Sequence, residues 1–218
     1  MRPTDAAACE VLLIRHGRSA DVVPGSPEST DPPLHDEGHA QAAALDVRLA
    51  PKALAAVYSS HLRRAIDTAS PLARRRGLSL EVHPELEEVR LGDWSKGEFR
   101  RRATSGDPEW LAWSRTGRWD GIPGGEGDAA FRGRVTEVIT RLAGNHPGAA
   151  IAVVAHGGTI NAYLAEILGI ERSIWMSVEN TSISVVHVTP HGPHVVTVND
   201  CHHLFDPVLG PPPADGHH

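Results

Sequence analysis

The stretch CEVLLIRHG, residues 9–17, is a largely apolar run that stops abruptly at Arg15-His16-Gly17. A second stretch, IAVVAHGG at residues 151–158, repeats the design near the other end of the chain. Continuous apolar runs suit central strands of a parallel sheet, where both faces are covered. Each delivers a histidine followed by glycine to its strand end. Taken alone, either histidine can do no more than satisfy a backbone group. Two of them, with an arginine beside the first, are suited to attacking and holding a phosphate. Imidazole is a nucleophile, and guanidinium is a planar fork that stays charged.

Outward from these runs, strand candidates at 10–15, 54–59, 79–83, 150–155, 182–188 and 194–199 alternate with helical patterns. That alternation argues for an α/β sheet with crossover helices. Leu62, Ala65, Ile66, Ala69 and Leu72 follow the spacing of an amphipathic helix that ends near Gly77. Phe131, Val135, Val138, Ile139 and Leu142 do the same before Gly144, as do Ile160, Tyr163, Leu164, Ile167 and Leu168 before Gly169. The last two strands flank TPHGP and read as a hairpin. The expected architecture is a three-layer α/β/α sandwich around a mostly parallel sheet of about six strands.

Residues 92–127 break this rhythm, holding Trp94, Trp110, Trp113 and Trp119 in a Gly- and Arg-rich stretch. It is too long for an ordinary connection. It reads as a small helical cap over the site, packed by its tryptophans, and such insertions often carry specificity. One domain is expected over 9–205, with a disordered Pro/Gly-rich tail at 206–218.

Composition limits the partners. With 40% hydrophobic and 22% charged residues in 218, an ordinary globular core is expected. The net charge of −6 provides no global basic field, so neither nucleic acid nor a membrane surface is expected as partner. Positive potential for an anionic substrate must be local. Cys9 and Cys201 suggest neither a disulfide framework nor a CxxC motif, and Cys9 reads as a packed free thiol. No run approaches about 18 apolar residues and the N-terminus lacks a signal-peptide h-region, so a cytoplasmic location is expected. An exposed edge strand or cap face would serve a homodimer.

Phosphoester hydrolysis without a metal needs a nucleophile, positive donors and an acid. His16 qualifies as nucleophile through one ring nitrogen if the other donates to a backbone carbonyl. YSSHLRRAIDTA, residues 58–69, places Arg63 and Arg64 at a helix start, where positive side chains oppose the macrodipole. An anion shared by helix end and arginine explains them; two solvated arginines is the alternative. Consecutive helical residues point about 100° apart, so only one would face the site. PELEEVRLGDW, residues 84–94, sets Glu87 and Glu88 just past a strand end, where α/β sites form, and either can be the acid. Arg100, Arg101 and Arg102 either add charge for a carboxylated or multiply phosphorylated substrate or form a solvated helix face.

Together these segments resemble the histidine phosphatase superfamily, in its phosphoglycerate mutase-like branch. LLIRHGRSA is similar to the RHG-x-S/T signature, PLHDEGHAQA to PLTxxGxxQA, and VYSSHLRRAIDTA to SSxLxRAxxTA. LEEVRLGDWSKG, PGGEG, VVAHGGTI and NDCHHL resemble LxExxxGxWxG, PGGES, VxHGGxI and NDxxHL. The resemblance runs in order from about residue 10 to residue 204. It implies that His16 is the nucleophile that becomes phosphohistidine, with Arg15, Arg64 and His156 completing the phosphate pocket. It selects Glu88 over Glu87 as proton donor, because Glu88 lies four residues before Gly92. It places Glu126 near substrate and the Gly157 backbone near phosphate, and it implies no metal and no other cofactor.

The chain departs from the family pattern at several points. His35 replaces Thr, His61 replaces Pro, and one extra residue precedes Gly97. Arg18 follows RHG where an acid or Gln is usual, Val22 stands at an Asn position, and Asn161 at an Arg position. His203 reads as a structural or site-edge residue. The expected function is a metal-independent phosphomonoesterase acting through phosphohistidine on a small phosphorylated metabolite. Phosphoglycerate mutase-type transfer is the first alternative, but mutases carry a longer insertion than the 68 positions from Glu88 to His156 allow. A catalytically silent phospho-ligand module is the second.

Overall fold

A computed structural model of the chain describes residues 7–21, 23 and 25–205. Val22 and the tail at 206–218 lie outside the described residues. Six strands, β1 (Cys9–Arg15), β2 (Ala56–Ser59), β3 (Leu80–Val82), β4 (Ala150–Ala155), β5 (Ile183–Thr189) and β6 (Gly192–Asp200), form one sheet in the order β3-β2-β4-β1-β5-β6. The first four in that order are mutually parallel, and β5 and β6 add antiparallel at the β1 edge. The final pair is the expected hairpin, since Thr189 pairs with Gly192 across Pro190-His191.

Burial explains why the two histidine-bearing runs are continuously apolar. Successive strand residues face opposite sides of a sheet. On β1, Leu12 and Ile14 pack with Val57, Ala65, Leu72 and Val154, on the face covered by α1 (Asp36–Leu49) and α2 (Arg63–Arg75). Val11 and Leu13 pack with Phe131, Val135, Ile139 and Leu164 on the other, under α5 (Asp128–Gly144) and α6 (Gly157–Leu168). Both faces of β1 and β4 are therefore core, and the molecule has the three layers expected.

Helix α1 is the element that apolar periodicity did not mark. Its buried face is Gly38, Ala42, Leu45, Asp46 and Leu49, so the stripe is shallow and interrupted by an acid. Asp46 is tolerated there because Arg75 donates to it at 2.6 Å and Arg76 lies at 3.5 Å. Within the 92–127 insertion lie α3 (Glu98–Ser105) and α4 (Pro108–Ser114). Trp94, Phe99, Trp110, Trp113 and Trp119 form one ring cluster here, joined to α5 by Trp119 edge-on to Phe131 at 6.4 Å. The tryptophans thus pack the insertion onto the core.

Register positions the site. β1 and β4 pair with Arg15 opposite Ala155, so His16 and His156 leave the sheet side by side. After His16 the chain goes to α1 on one face, and after His156 to α6 on the other. Diverging connections of this kind open a crevice at the carboxyl ends of parallel strands. Cys9 is a buried thiol whose pKa burial pushes up to about 11, and Cys201 is also buried. Among the described residues, no helix is long and apolar enough to cross a membrane.

Candidate active site

His16 Nδ1 lies 2.7 Å from the Gly17 carbonyl oxygen. A carbonyl can only accept, so Nδ1 carries the proton and Nε2 keeps its lone pair. Arg64 Nε donates to that Nε2 at 3.2 Å, and Asn180 donates to the His16 carbonyl at 2.8 Å. Burial, reinforced by Arg64 and Arg15, holds the His16 imidazole well below its ordinary value. The ring is therefore neutral near pH 7, with Nε2 unprotonated. Gly17 permits the tight turn: its N–H donates to Thr68 Oγ1 at 2.9 Å, and a Cβ would sit 2.7 Å from the Gly38 carbonyl oxygen.

The two arginines at the start of α2 divide as the helical angle requires. Arg64 turns into the site, whereas the Arg63 backbone N–H donates to both oxygens of Asp31, at 2.9 and 3.1 Å. Asp31 also lies 3.5 Å from Arg64 Nη1. Asp31 thus sits between the helix end and Arg64, beside the site. Arg15 Nη1 donates to the Val178 carbonyl, and Arg15 Nε is buried without a partner among the described residues. Burial lowers the pKa of both Arg15 and Arg64, but guanidinium remains charged.

His156 is fully buried, its ring centroid 5.1 Å from that of His16. Its Nε2 lies 2.7 Å from Ser60 Oγ, and its Nδ1 is buried without a partner among the described residues. Burial, followed by His16, Arg64 and Arg15, holds this ring too well below its ordinary value.

Glu87 and Glu88, which spacing could not separate, have different environments. Glu88 accepts from the backbone N–H of Val89 and of Gly158, both at 3.0 Å, tying it to the start of α6. Glu87 accepts from Arg90 at 2.6 Å and lies 3.8 Å from His61. Both line a cavity of about 680 Å³ together with Arg15, His16, Arg64, Gly157 and the inserted Trp94 and Phe99. Glu126 does not line it; Arg134 binds both its oxygens at 2.7 Å, and it accepts from the Arg90 backbone at 3.3 Å. A larger groove of about 1010 Å³ along α5, bordered by Arg118, Arg132 and Thr136, contains none of these site residues. No cluster of three or more His, Cys, Asp or Glu suited to a metal occurs among the described residues.

A family model for the histidine phosphatase superfamily, branch 1, matches residues 11–201. The chain belongs to that superfamily. It is 32% identical over 178 residues to glucosyl-3-phosphoglycerate phosphatase of Mycobacterium tuberculosis H37Rv, covering 77% of this chain and 79% of the relative. It is 30% identical over 209 residues to the metal-independent phosphoserine phosphatase of Arabidopsis thaliana, covering 92% and 85%. The alpha-ribazole phosphatase structure from Shigella flexneri superposes with a TM-score of 0.71 at 28% identity, covering 88% of this chain and 96% of that one. This histidine phosphatase is a phosphatase member of the superfamily and a hydrolase of phosphoric monoesters.

Several departures from the family pattern have a physical account in this histidine phosphatase. His35 caps α1: its Nδ1 accepts from Glu37 N–H at 3.1 Å, the task a threonine hydroxyl performs at a helix start. Asn161 bonds the Gly157 carbonyl at 3.2 Å and both backbone groups of Met176, at 2.9 and 3.3 Å. It thereby fixes the segment whose Val178 carbonyl holds Arg15. His203 lies 3.0 Å from Thr181 Oγ1, and Thr181, at φ +54°, donates its N–H to the Arg15 carbonyl at 3.0 Å. Arg18 faces away, paired with the exposed Glu37. Ser60, Thr68, Asp31 and Asn180 are site residues that sequence reasoning missed. Small polar residues in turns carry no periodic signal, and only the position of SSH beside a strand end could have pointed to Ser60.

Proposed function

We propose that this enzyme hydrolyses small phosphorylated metabolites without a metal, through a phosphohistidine formed on His16 Nε2. The observation that carries the reading is the 2.7 Å contact of His16 Nδ1 with the Gly17 carbonyl, to which Nδ1–H donates, leaving the Nε2 lone pair among buried cations. The orphaned Arg15 Nε and His156 Nδ1 support it, because buried polar atoms require partners and phosphoryl oxygens supply acceptors. Ser60 Oγ accepts from Leu62 N–H at 3.3 Å, so its own proton is free to go to His156 Nε2. His156 then donates from Nδ1 while uncharged.

In the first displacement the His16 Nε2–phosphorus bond forms as the ester P–O bond breaks, and protonated Glu88 transfers its proton to the departing alkoxide. In the second, water attacks phosphorus, Glu88 takes its proton, and the N–P bond breaks to release phosphate. Arg15 and Arg64 hold the non-bridging oxygens, where positioning and charge do most of the work. The three relatives are phosphatases of glucosyl-3-phosphoglycerate, phosphoserine and alpha-ribazole by name, which supports a phosphomonoester of a small metabolite as substrate.

His16→Ala is expected to abolish both turnover and acid-labile 32P incorporation; survival of either overturns the nucleophile assignment. Glu88→Gln is expected to label yet turn over slowly, at least tenfold more slowly with alkyl than with aryl phosphates, since general acid–base catalysis contributes about 10²–10⁴-fold. Equal losses on both substrates would remove Glu88 from the proton-donor role.

A further inference from the structure

Between α6 and β5 runs a segment with no helix or strand of its own, and the catalytic strand end leans on it. The Val178 carbonyl accepts from Arg15 Nη1, Asn180 donates to the His16 carbonyl at 2.8 Å, and the Thr181 N–H donates to the Arg15 carbonyl at 3.0 Å. The Val178 contact is the only hydrogen bond of the Arg15 side chain among the described residues. Guanidinium is a rigid planar fork, so fixing Nη1 fixes the direction in which the rest of the group meets phosphate.

Asn161 ties this segment down at Met176; at Val178 itself the holding group comes from β6. Asn199 Oδ1 accepts from the Glu179 N–H at 2.8 Å, and Asn199 Nδ2 donates to the Ser177 carbonyl at 3.0 Å. Both partners are backbone groups with fixed roles, so the amide can take only this orientation. The two bonds bracket Val178. Asn199 reaches them because β6 bulges: Val185 pairs with Thr197 and Ile183 with Asp200, so Val198 and Asn199 together oppose Ser184. An extra residue of this kind re-aims a side chain. Asn199 takes the left-handed conformation there, at φ +55°, which asparagine tolerates better than most residues. Its N–H donates to the Oγ of the buried Ser184 at 3.0 Å. At the far end of the segment Thr181 is β-branched yet stands at φ +54°, a conformation that persists only where its surroundings over-determine it.

We propose that Asn199 is a positioning residue for the reaction. By pinning Ser177 and Glu179 it sets the Val178 carbonyl and, through it, the angle at which Arg15 meets the phosphoryl group. Asn199 does not itself line the catalytic cavity, so it acts through this relay. The proposal rests on the reading that Arg15 takes the scissile phosphate.

Asn199→Gly removes the amide and keeps the bulge, since glycine enters the left-handed region freely. Binding of 32P-labelled inorganic phosphate to the full chain, by equilibrium dialysis, is compared in the wild type, Asn199→Gly, Arg15→Gln and the double variant. With Arg15 present, Asn199→Gly is expected to weaken phosphate binding about tenfold, the order expected for two hydrogen bonds between neutral groups. The kcat/KM for p-nitrophenyl phosphate should fall in step. In the Arg15→Gln background the same substitution should change binding by less than about twofold. Dissociation constants are read on folded molecules, so a lower urea midpoint alone cannot produce this pattern. Wild-type phosphate binding in Asn199→Gly, or an equal loss with and without Arg15, overturns the proposal. Arg15→Gln alone reports on the underlying reading: unchanged phosphate binding in that variant removes Arg15 from the site, whatever Asn199 does.

Discussion

Gly158 determines where the Glu88 carboxylate can sit. A Cβ at this position would lie 2.2 Å from Glu88 Oε1 and 3.0 Å from its Cδ, so any side chain displaces the group that accepts the Gly158 N–H. The residue is in the first turn of α6, where alanine is by propensity about 1 kcal/mol better than glycine. Gly158→Ala should therefore leave the unfolding midpoint nearly unchanged while lowering kcat on alkyl phosphates by at least about tenfold, and aryl phosphates by much less. Parallel losses on both substrate types would show that the displacement damages phosphate binding instead. Arg15, His16 and His156 were legible from sequence because apolar strand patterns end on them. The choice between Glu87 and Glu88 was not legible from spacing. It depends on a contact with residue 158, 70 positions away, which only the fold creates.

The segment that carries Glu88 has little regular structure of its own, and α5 holds it in place. Arg134 donates to the carbonyls of Glu85 and Glu87, at 2.7 and 3.2 Å, while both oxygens of Glu126 clamp its other nitrogens. Thr159 donates to the Glu87 carbonyl at 3.1 Å from α6. Glu126 orients the arginine that holds the backbone leading into Glu88. The pair is largely buried, at 13% and 8% exposure, so removing one partner strands a charge and costs about 3 kcal/mol. Arg134→Met should lower stability by that order, measured by urea unfolding, and reduce alkyl-phosphate turnover. Adding Glu126→Leu should restore much of the stability but not the turnover, because the two carbonyls still lack their donor. Recovery of both would reduce the arginine to a purely structural role. At this scale, elements with strong apolar contrast were readable from periodicity. Helix α1 was not, because glycine, alanine and a paired aspartate make up most of its buried face.

Across the whole molecule, the candidate active site joins the two core layers at strand ends that bury two imidazole rings. His16 and His156 sit between the α1–α2 and α5–α6 layers, and burial among arginines keeps both neutral. An unfolded histidine protonates at about pH 6.5. Below that pH the unfolded chain binds protons that the folded site refuses, so folding stability falls as the solution is acidified; above it both states are neutral and the dependence vanishes. Each ring held far below its unfolded value contributes about 1 kcal/mol of lost stability between about pH 6.5 and 5.5. His203, whose pKa burial also lowers, adds in the same direction. The carboxylates with depressed values, Glu98 at about 2 with Asp120, Glu126 and Asp200, contribute stability that is lost only below the ordinary carboxylate range, near pH 4. The histidine losses therefore begin first, near pH 6.5. Urea midpoints measured from about pH 7.5 to 5 should therefore decline for the wild type, beginning near pH 6.5, and decline much less for a His16→Asn/His156→Asn double variant. Parallel declines in the two proteins would show that the rings take up protons within the fold, and the nucleophile would then have to act from a partly protonated site.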